Sequence, residues 1–219
     1  MTLRKKYRML PNMKIADIDR LVLATSNQGK LTEVRRLLLD LPVTLLDLHD
    51  FPNTAEPEEN GLTFEDNSRL KAAYYARHTG GWTIADDSGL EVTCLNHEPG
   101  VHSARFGGSG RNDADRISLL LQHITASGAT DRSARFVCSI TLAEPAGAIV
   151  KTFTATCEGR IAEAPRGTNG FGYDPVFAPL GFDLTFGELP ESVKQKLSHR
   201  ARALALFRKY LLDSFTLKA

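Results

Sequence analysis

A chain of 219 residues, 42% hydrophobic and 24% charged, has the bulk character of a globular protein long enough to bury a sizeable core. Its 27 Lys and Arg against 26 Asp and Glu leave a net charge of +1, which argues against a partner such as duplex nucleic acid, where affinity rests on a basic excess. No run approaches the ~20 apolar residues that span a bilayer, and no apolar stretch of signal-peptide length follows the basic residues 1–8.

Residues 1–19 read as a polar extension, expected to be poorly ordered, and 20–219 as a single domain. Residues 20–25 are a short apolar run of strand type. Ser26-Asn-Gln-Gly29 turns the chain and Lys30 opens a helix, where Leu31, Val34, Leu38 and Leu41 repeat on one face until Pro42 stops it. A second strand near 43–48 leads to an acidic loop, 55–61, holding Glu58 and Glu59. Thr63-Phe-Glu-Asp66 has capping-box spacing, with Asp in place of the usual Glu or Gln. The helix that follows is predicted to reach about residue 78, before Gly80-Gly81. Residues 82–85 form a strand closed by Asp86-Asp-Ser-Gly89, and 90–95 continue as an extended segment. Beyond a loop with Pro99-Gly100 and Gly107-Gly108, a helix is expected over about 112–124. Ala134, Phe136, Cys138, Ile140 and Leu142 alternate with Arg135, Val137, Ser139, Thr141 and Ala143. With Glu144-Pro-Ala-Gly147 after them, they predict a long hairpin returning through 149–161. A Gly-rich stretch, 166–174, and a helix over about 198–215 complete an α/β pattern.

Several segments are equipped for chemistry. Thr25-Ser-Asn-Gln-Gly-Lys30 offers free backbone N–H groups and a positive helix end to an anion. It is not a P-loop, because Ala24 and Leu31 stand where that pattern needs Gly and Ser or Thr. Taken alone it is equally a capped turn. Asp86 and Asp87, at the expected strand end, are by themselves readily turn-formers through Asx hydrogen bonds. As ligands they suit Mg²⁺, which takes few protein carboxylates plus waters and phosphate oxygens, and Glu58 or Glu59 would add one more. Lys71 shares a helix face with Phe64, Asn67 and Tyr75, and alone reads as a surface lysine. In Gly167-Thr-Asn-Gly-Phe-Gly-Tyr-Asp-Pro175 the glycines allow close backbone approach, Phe171 and Tyr173 offer flat faces to a base, and Asp174 is an acceptor; a wide turn explains it equally. Lys194, Ser198, His199 and Arg200 gather donors at the start of the last helix. The three cysteines, Cys94, Cys138 and Cys157, lack metal-ligand or CxxC spacing and suit a reducing compartment, so the expected location is the cytoplasm.

Together, and in this order, Thr25 to Lys30, Thr63-Phe64 with Asn67 and Lys71, Ala85-Asp-Asp-Ser-Gly-Leu90, Pro99-Gly100 with Ser103-Ala-Arg105, Gly170-Phe-Gly-Tyr-Asp-Pro175 and Ser198-His-Arg200 resemble the inosine triphosphate pyrophosphatase family, the dITP/XTP pyrophosphatases, over residues 21 to about 212. The resemblance implies an elongated mixed-sheet α/β fold with two lobes and an active-site cleft between them, usually as a homodimer. It implies Mg²⁺-dependent cleavage of the non-standard purine triphosphates ITP, dITP and XTP between the α and β phosphates. Phosphate binding falls to Thr25, Ser26, Asn27, Gln28, Gly29, Lys30 and Lys71. The catalytic carboxylate is Asp87, with Asp86 beside it, and the metal-binding Glu is Glu59, or Glu58 one position away. Base contacts fall to Ser88, Phe171, Gly172, Tyr173, Asp174, Lys194, His199 and Arg200. Donors from His199 and Arg200 would pair with the 6-oxo group of hypoxanthine or xanthine and meet the 6-amino group of adenine unmatched. Asn169 stands where many members have Gly, which leaves the local backbone open, and residues 1–20 have no counterpart.

A pyrophosphatase acting on modified pyrimidine triphosphates remains the alternative. An aspartyl-phosphate phosphatase would want a DxD loop, which Asp86-Asp87 does not provide. A non-catalytic nucleotide-binding module would need neither the paired carboxylates nor the acidic loop.

Overall fold

A computed structural model describes residues 15–52, 54–108 and 110–216. Most of the expected extension, residues 1–14, lies outside the described residues, and Ile15–Asp17 forms a short 3-10 turn. Among the described residues, six strands and five α-helices follow: β1 (Arg20–Leu23), α1 (Gln28–Leu37), β2 (Thr44–Asp47), α2 (Phe64–Thr79), β3 (Thr83–Val92), α3 (Asp113–Ala126), β4 (Ser133–Ala143), β5 (Ile149–Ile161), β6 (Phe177–Pro179), α4 (Glu191–Leu197) and α5 (His199–Thr216). The strands form one mixed sheet in the order β2-β1-β3-β4-β5-β6. β1 runs parallel to both β2 and β3, and β5 is antiparallel to β6. Among the described residues no helix is long and apolar enough to cross a membrane.

The chain gathers into two compact units. One takes the chain up to Asp87, then Ser139–Thr154 and the stretch from Leu204 onward; the other takes Ser88–Cys138 and Ala155–Ala203. In the first unit, Leu21, Val22 and Leu23 of β1 are all buried, as a parallel strand covered on both faces requires. Asn27 caps α1 by accepting from Lys30 N at 3.0 Å. The helix ends at Leu37, earlier than the apolar spacing predicts, although Leu38 and Leu41 remain buried beyond it. The α2 capping box forms as the sequence predicts. Asp66 N donates to Thr63 Oγ1 at 3.1 Å and Thr63 N donates to Asp66 Oδ2 at 3.2 Å, so the shorter Asp still reaches back. Gly80, at φ 67°, closes the helix in the left-handed conformation. Small side chains (Ala24, Ala72, Ala76, Ala85 and Ala143) cluster around Tyr75. They let α2 approach the sheet closely and carry Lys71 toward β3.

One expectation needs correction. Asp86-Asp-Ser-Gly89 is not a turn, since β3 runs unbroken from Thr83 to Val92. Polar and glycine residues imitate a turn in one dimension, but here their demands are met from other elements: lysines compensate the aspartates, and Gly89 makes room for a neighbour. A Cβ on Gly89 would lie 2.3 Å from Ser103 Oγ, whose oxygen accepts from Leu90 N at 2.9 Å. The alternating residues of β4 include Ser139, Thr141 and Ala143, and these too are buried. Their hydroxyls are satisfied internally: Thr141 Oγ1 lies 2.7 Å from Ser68 Oγ and 2.9 Å from Thr152 Oγ1, and Ser139 Oγ lies 2.8 Å from Thr154 Oγ1.

The second unit packs Leu90, Val92, Ile117, Leu120 and Ile124 with an aromatic row. Phe177 lies 4.5 Å from Phe136 and 5.6 Å from Phe186, centroid to centroid. The helix α3 opens with a capping box of Asn112 and Asp115. The strand β6 and the helix α4 are short elements that the sequence pattern does not announce.

Candidate active site

In the first unit, the strand–turn–helix of β1 and α1 sets the start of the site. Thr25 Oγ1 accepts from Asn27 N at 3.2 Å, and Ser26 Oγ donates to Glu56 Oε1 at 2.7 Å. Successive residues of a strand point to opposite faces, so Asp86 and Asp87 acquire different partners. Lys30 Nζ, from α1, reaches Asp86 Oδ1 at 2.5 Å. Lys71 Nζ, from α2, reaches Asp87 Oδ1 at 2.7 Å and Glu59 Oε1 at 3.2 Å. Lys71 is therefore no surface lysine; its side chain is 11% exposed and that of Asp87 9%.

Burial favours the neutral forms of both groups, with different outcomes. Burial raises the proton affinity of Asp87, and Glu59 adds to it, against the opposing pull of Lys71 and Lys30; the net shift is upward. For Lys71, burial works against its charge, but the attraction of Asp87, Glu59 and Asp86 outweighs it, and the ammonium is held more firmly than usual. Asp87 Oδ2 is buried and makes no hydrogen bond among the described residues. Glu59 is the acidic-loop carboxylate that reaches this cluster, while Glu58 is exposed. The loop is pinned by Asn67 Oδ1, which accepts from Gly61 N at 2.8 Å.

No group of three His, Cys, Asp or Glu among the described residues is arranged to hold a metal unaided. Two carboxylates that converge on one ammonium, with one buried oxygen lacking a partner, nonetheless fit a hard cation that draws its other ligands from water and phosphate.

The second unit holds the other predicted residues. Arg200 is 2% exposed and donates from Nη2 to Ser88 Oγ at 2.7 Å. Lys194 Nζ sits 2.5 Å from Asp174 Oδ2 and 4.7 Å from the Phe171 ring centroid, and the Arg200 guanidinium lies 5.7 Å from the same ring. Two cations beside one aromatic ring favour its π face. The His199 ring stacks on Phe136 at 4.6 Å. Ser198 Oγ caps α5 by accepting from Ala201 N at 3.1 Å.

Tyr173 is 5% exposed, lies in the apolar core and donates its hydroxyl to Ser103 O at 2.9 Å. Burial pushes its phenol pKa upward. Its ring packs in that core, whereas Phe171 is only partly buried. Asn169 needs no left-handed backbone: its N donates to Gly187 O at 2.9 Å and its Nδ2 to Leu189 O at 3.1 Å. Gly167 is the strict glycine of this stretch, at φ 76°, where a Cβ would lie 2.0 Å from Gly187 O. Sequence reasoning assigned no role to Glu56 or Asp113, which meet the site through long-range hydrogen bonds, and quoted Ser103 only as part of a motif. Asp113 carried a local signal, an acidic residue in a helix's first turn, and that signal pointed elsewhere.

Fold and site together define a mixed-sheet α/β protein. It has an anion-ready helix start and a buried lysine–carboxylate cluster in one unit, and a cation-flanked aromatic ring in the other. The chain belongs to the Ham1 family, whose sequence model matches residues 21–210. It is 50% identical over 184 residues to the dITP/XTP pyrophosphatase of Gloeobacter violaceus, covering 84% of this chain and 90% of that protein. It is 46% identical to the dITP/XTP pyrophosphatase of Geobacter sulfurreducens, covering 89% and 97%. The solved structure of a HAM1 protein from Coxiella burnetii superposes with a TM-score of 0.82 at 40% identity, covering 89% of this chain and 98% of that one.

Proposed function

We propose that this protein hydrolyses the non-standard purine triphosphates ITP, dITP and XTP to the monophosphate and pyrophosphate with Mg²⁺, clearing them from the nucleotide pool. The observation that carries this reading is the buried cluster of Lys71, Asp87 and Glu59, in which Asp87 Oδ2 is an acceptor awaiting a donor. The relatives named above as dITP/XTP pyrophosphatases support the substrate class, and none of them favours the modified-pyrimidine alternative.

The triphosphate brings about four negative charges to a nearly neutral protein, and Lys30, Lys71 and the backbone amides of Gln28 and Gly29 at the start of α1 offset part of them. Glu59 and Asp87 are the residues that would hold Mg²⁺, with Asp86 beside them. When bound, Mg²⁺ neutralises phosphate charge and stabilises the departing pyrophosphate. Asp87 takes the proton of a water attacking the α phosphorus. Its raised proton affinity suits that task, because a base works best when its pKa approaches the working pH. Lys71 keeps its proton throughout and holds Asp87 by its other oxygen. In the second unit, Phe171 stacks on the base and Arg200, Lys194 and His199 supply donors to its 6-oxo edge. Ser88 orients the Arg200 guanidinium, and Asp174 holds Lys194.

The homodimer that the sequence resemblance implies is tested by light scattering. The free thiols of Cys94, Cys138 and Cys157 support a reducing, cytoplasmic setting. The deciding experiment follows pyrophosphate and phosphate release from ITP, dITP, XTP, GTP, ATP and dUTP with Mg²⁺. Pyrophosphate from the 6-oxo purines, well ahead of ATP, is expected. Equal rates on ITP and ATP would end the base-selection reading, and inorganic phosphate as product would end the pyrophosphatase reading.

A further inference from the structure

The turn that carries Phe171 is held from outside itself. Gly170 and Gly172 flank the ring-bearing residue at φ 75° and 61°, a backbone that glycine alone adopts without strain and that by itself constrains the ring little. Two consecutive amides of this turn are nevertheless gripped by two carboxylates. Phe171 N donates to Asp174 Oδ2 at 2.8 Å, a local bond across three residues. Gly172 N donates to Asp113 Oδ2 at 2.7 Å, a bond from another element, 59 residues away.

Asp113 is itself oriented. Arg116 Nη2 holds its other oxygen at 2.5 Å, and Arg116 Nη1 donates to Arg111 O at 2.5 Å. An acidic residue in the first turn of α3 has an ordinary role, favourable interaction with the helix dipole. That role needs no bond to Gly172, and the capping box of Asn112 and Asp115 already serves the helix start. The bond to Gly172 joins an ionised acceptor to a backbone donor, the stronger kind of hydrogen bond. It ties the Phe171 turn to α3, and it grips the amide next to the ring-bearing residue, whereas the bonds of Asn169 and Tyr173 hold the stretch on either side.

We propose that Asp113 is a positioning residue for base recognition: by holding Gly172 N–H, it sets the plane of the Phe171 ring beside Lys194 and Arg200. The inference rests on the reading of Phe171 as the ring that stacks on the purine. A ring left to rotate binds every base less well and discriminates among them less, while the phosphate chemistry of the first unit proceeds as before. The effect belongs in KM and selectivity, not in kcat.

The test measures dITP and dATP hydrolysis by the full chain with Mg²⁺. Asp113→Ala is expected to raise KM for dITP roughly tenfold, the worth of one charge-assisted hydrogen bond, with kcat within about twofold, and to narrow the preference for dITP over dATP. Asp113→Ser, too short to reach the amide but still polar at the helix start, should behave alike and covers the case of a poorly folded Ala variant. Asp113→Asn, which keeps an acceptor oxygen, should restore KM to within about threefold of wild type. In the Phe171→Ala background, Asp113→Ala should add less than about twofold, because the ring it positions is gone. If Phe171→Ala raises KM but the Asp113 variants do not, the inference fails and the reading of Phe171 stands. Should Phe171→Ala leave KM unchanged, both fail. Loss confined to kcat, or full additivity with Phe171→Ala, would also overturn it.

Discussion

Replacing Asp87 by Asn tests the chemistry with little disturbance of the structure. The carboxamide has the same shape as the carboxylate, and its oxygen can keep the 2.7 Å contact with Lys71 Nζ. What changes is the buried Oδ2 position, which makes no hydrogen bond among the described residues and becomes an NH₂ that donates where the reaction needs an acceptor. Loss of general-base assistance is worth ~10² to 10⁴ in rate, or roughly 3 to 5.5 kcal/mol of barrier. KM for dITP, measured at saturating Mg²⁺, should change little, since Lys30, Lys71 and Glu59 remain. Two contributions to stability oppose each other. The raised pKa of Asp87 means that its ionised form costs the fold stability above that pKa, a cost the Asn variant lacks; Lys71 meanwhile loses its nearest counter-charge but keeps Glu59. The melting temperature should therefore move by only a few degrees. Steady-state pyrophosphate release from dITP across a pH range reads all of this. In the wild type, kcat should fall as pH drops through the raised Asp87 pKa, a limb above the 3.8 of an ordinary aspartate, and that limb should vanish in the variant. A kcat within about threefold of wild type, or a loss confined to KM, would refute the role given to Asp87.

Three further outcomes follow from the same geometry. Lys71→Met removes the cation between Asp87 and Glu59; breaking a buried pair costs about 3 to 5 kcal/mol, so calorimetry at pH 7 should show melting roughly 10 °C lower. That deficit should shrink as pH falls and Asp87 takes up a proton, and a deficit independent of pH would contradict the electrostatic account. Phe177→Ala empties a fully buried position between Phe136 and Phe186, and its urea midpoint should report a loss of about 3 to 5 kcal/mol. Arg200→Lys keeps the charge but loses the planar fork that reaches Ser88; the preference for dITP over dATP should drop roughly tenfold, and an unchanged ratio of kcat/KM values would remove Arg200 from base selection.

How much of the site was legible depends on the range of the interactions that make it. The capping box and the Gly80 cap of α2 are contacts across a few residues, and their spacing in the chain is their geometry. The residue types of the site could likewise be read in order along the chain, from Lys30 through Asp87 to Arg200, because an ordered set of motifs is itself a one-dimensional property.

The sequence by itself therefore determined the α/β pattern, the approximate starts of α1, α2, α3 and α5 and the identities of the charged and aromatic residues. Tertiary structure decided their meaning. It made Asp86-Asp-Ser-Gly89 a strand instead of a turn, because the lysines that compensate the two aspartates come from α1 and α2. It brought Glu59 to Lys71 and left Glu58 exposed. It sank the Tyr173 ring into the core while Phe171 stayed partly open, and it tied Gly172 to Asp113. The reason in every case is that a buried charge or an unmet hydrogen bond is settled by whatever partner lies near in space, and along the chain that partner is many residues away.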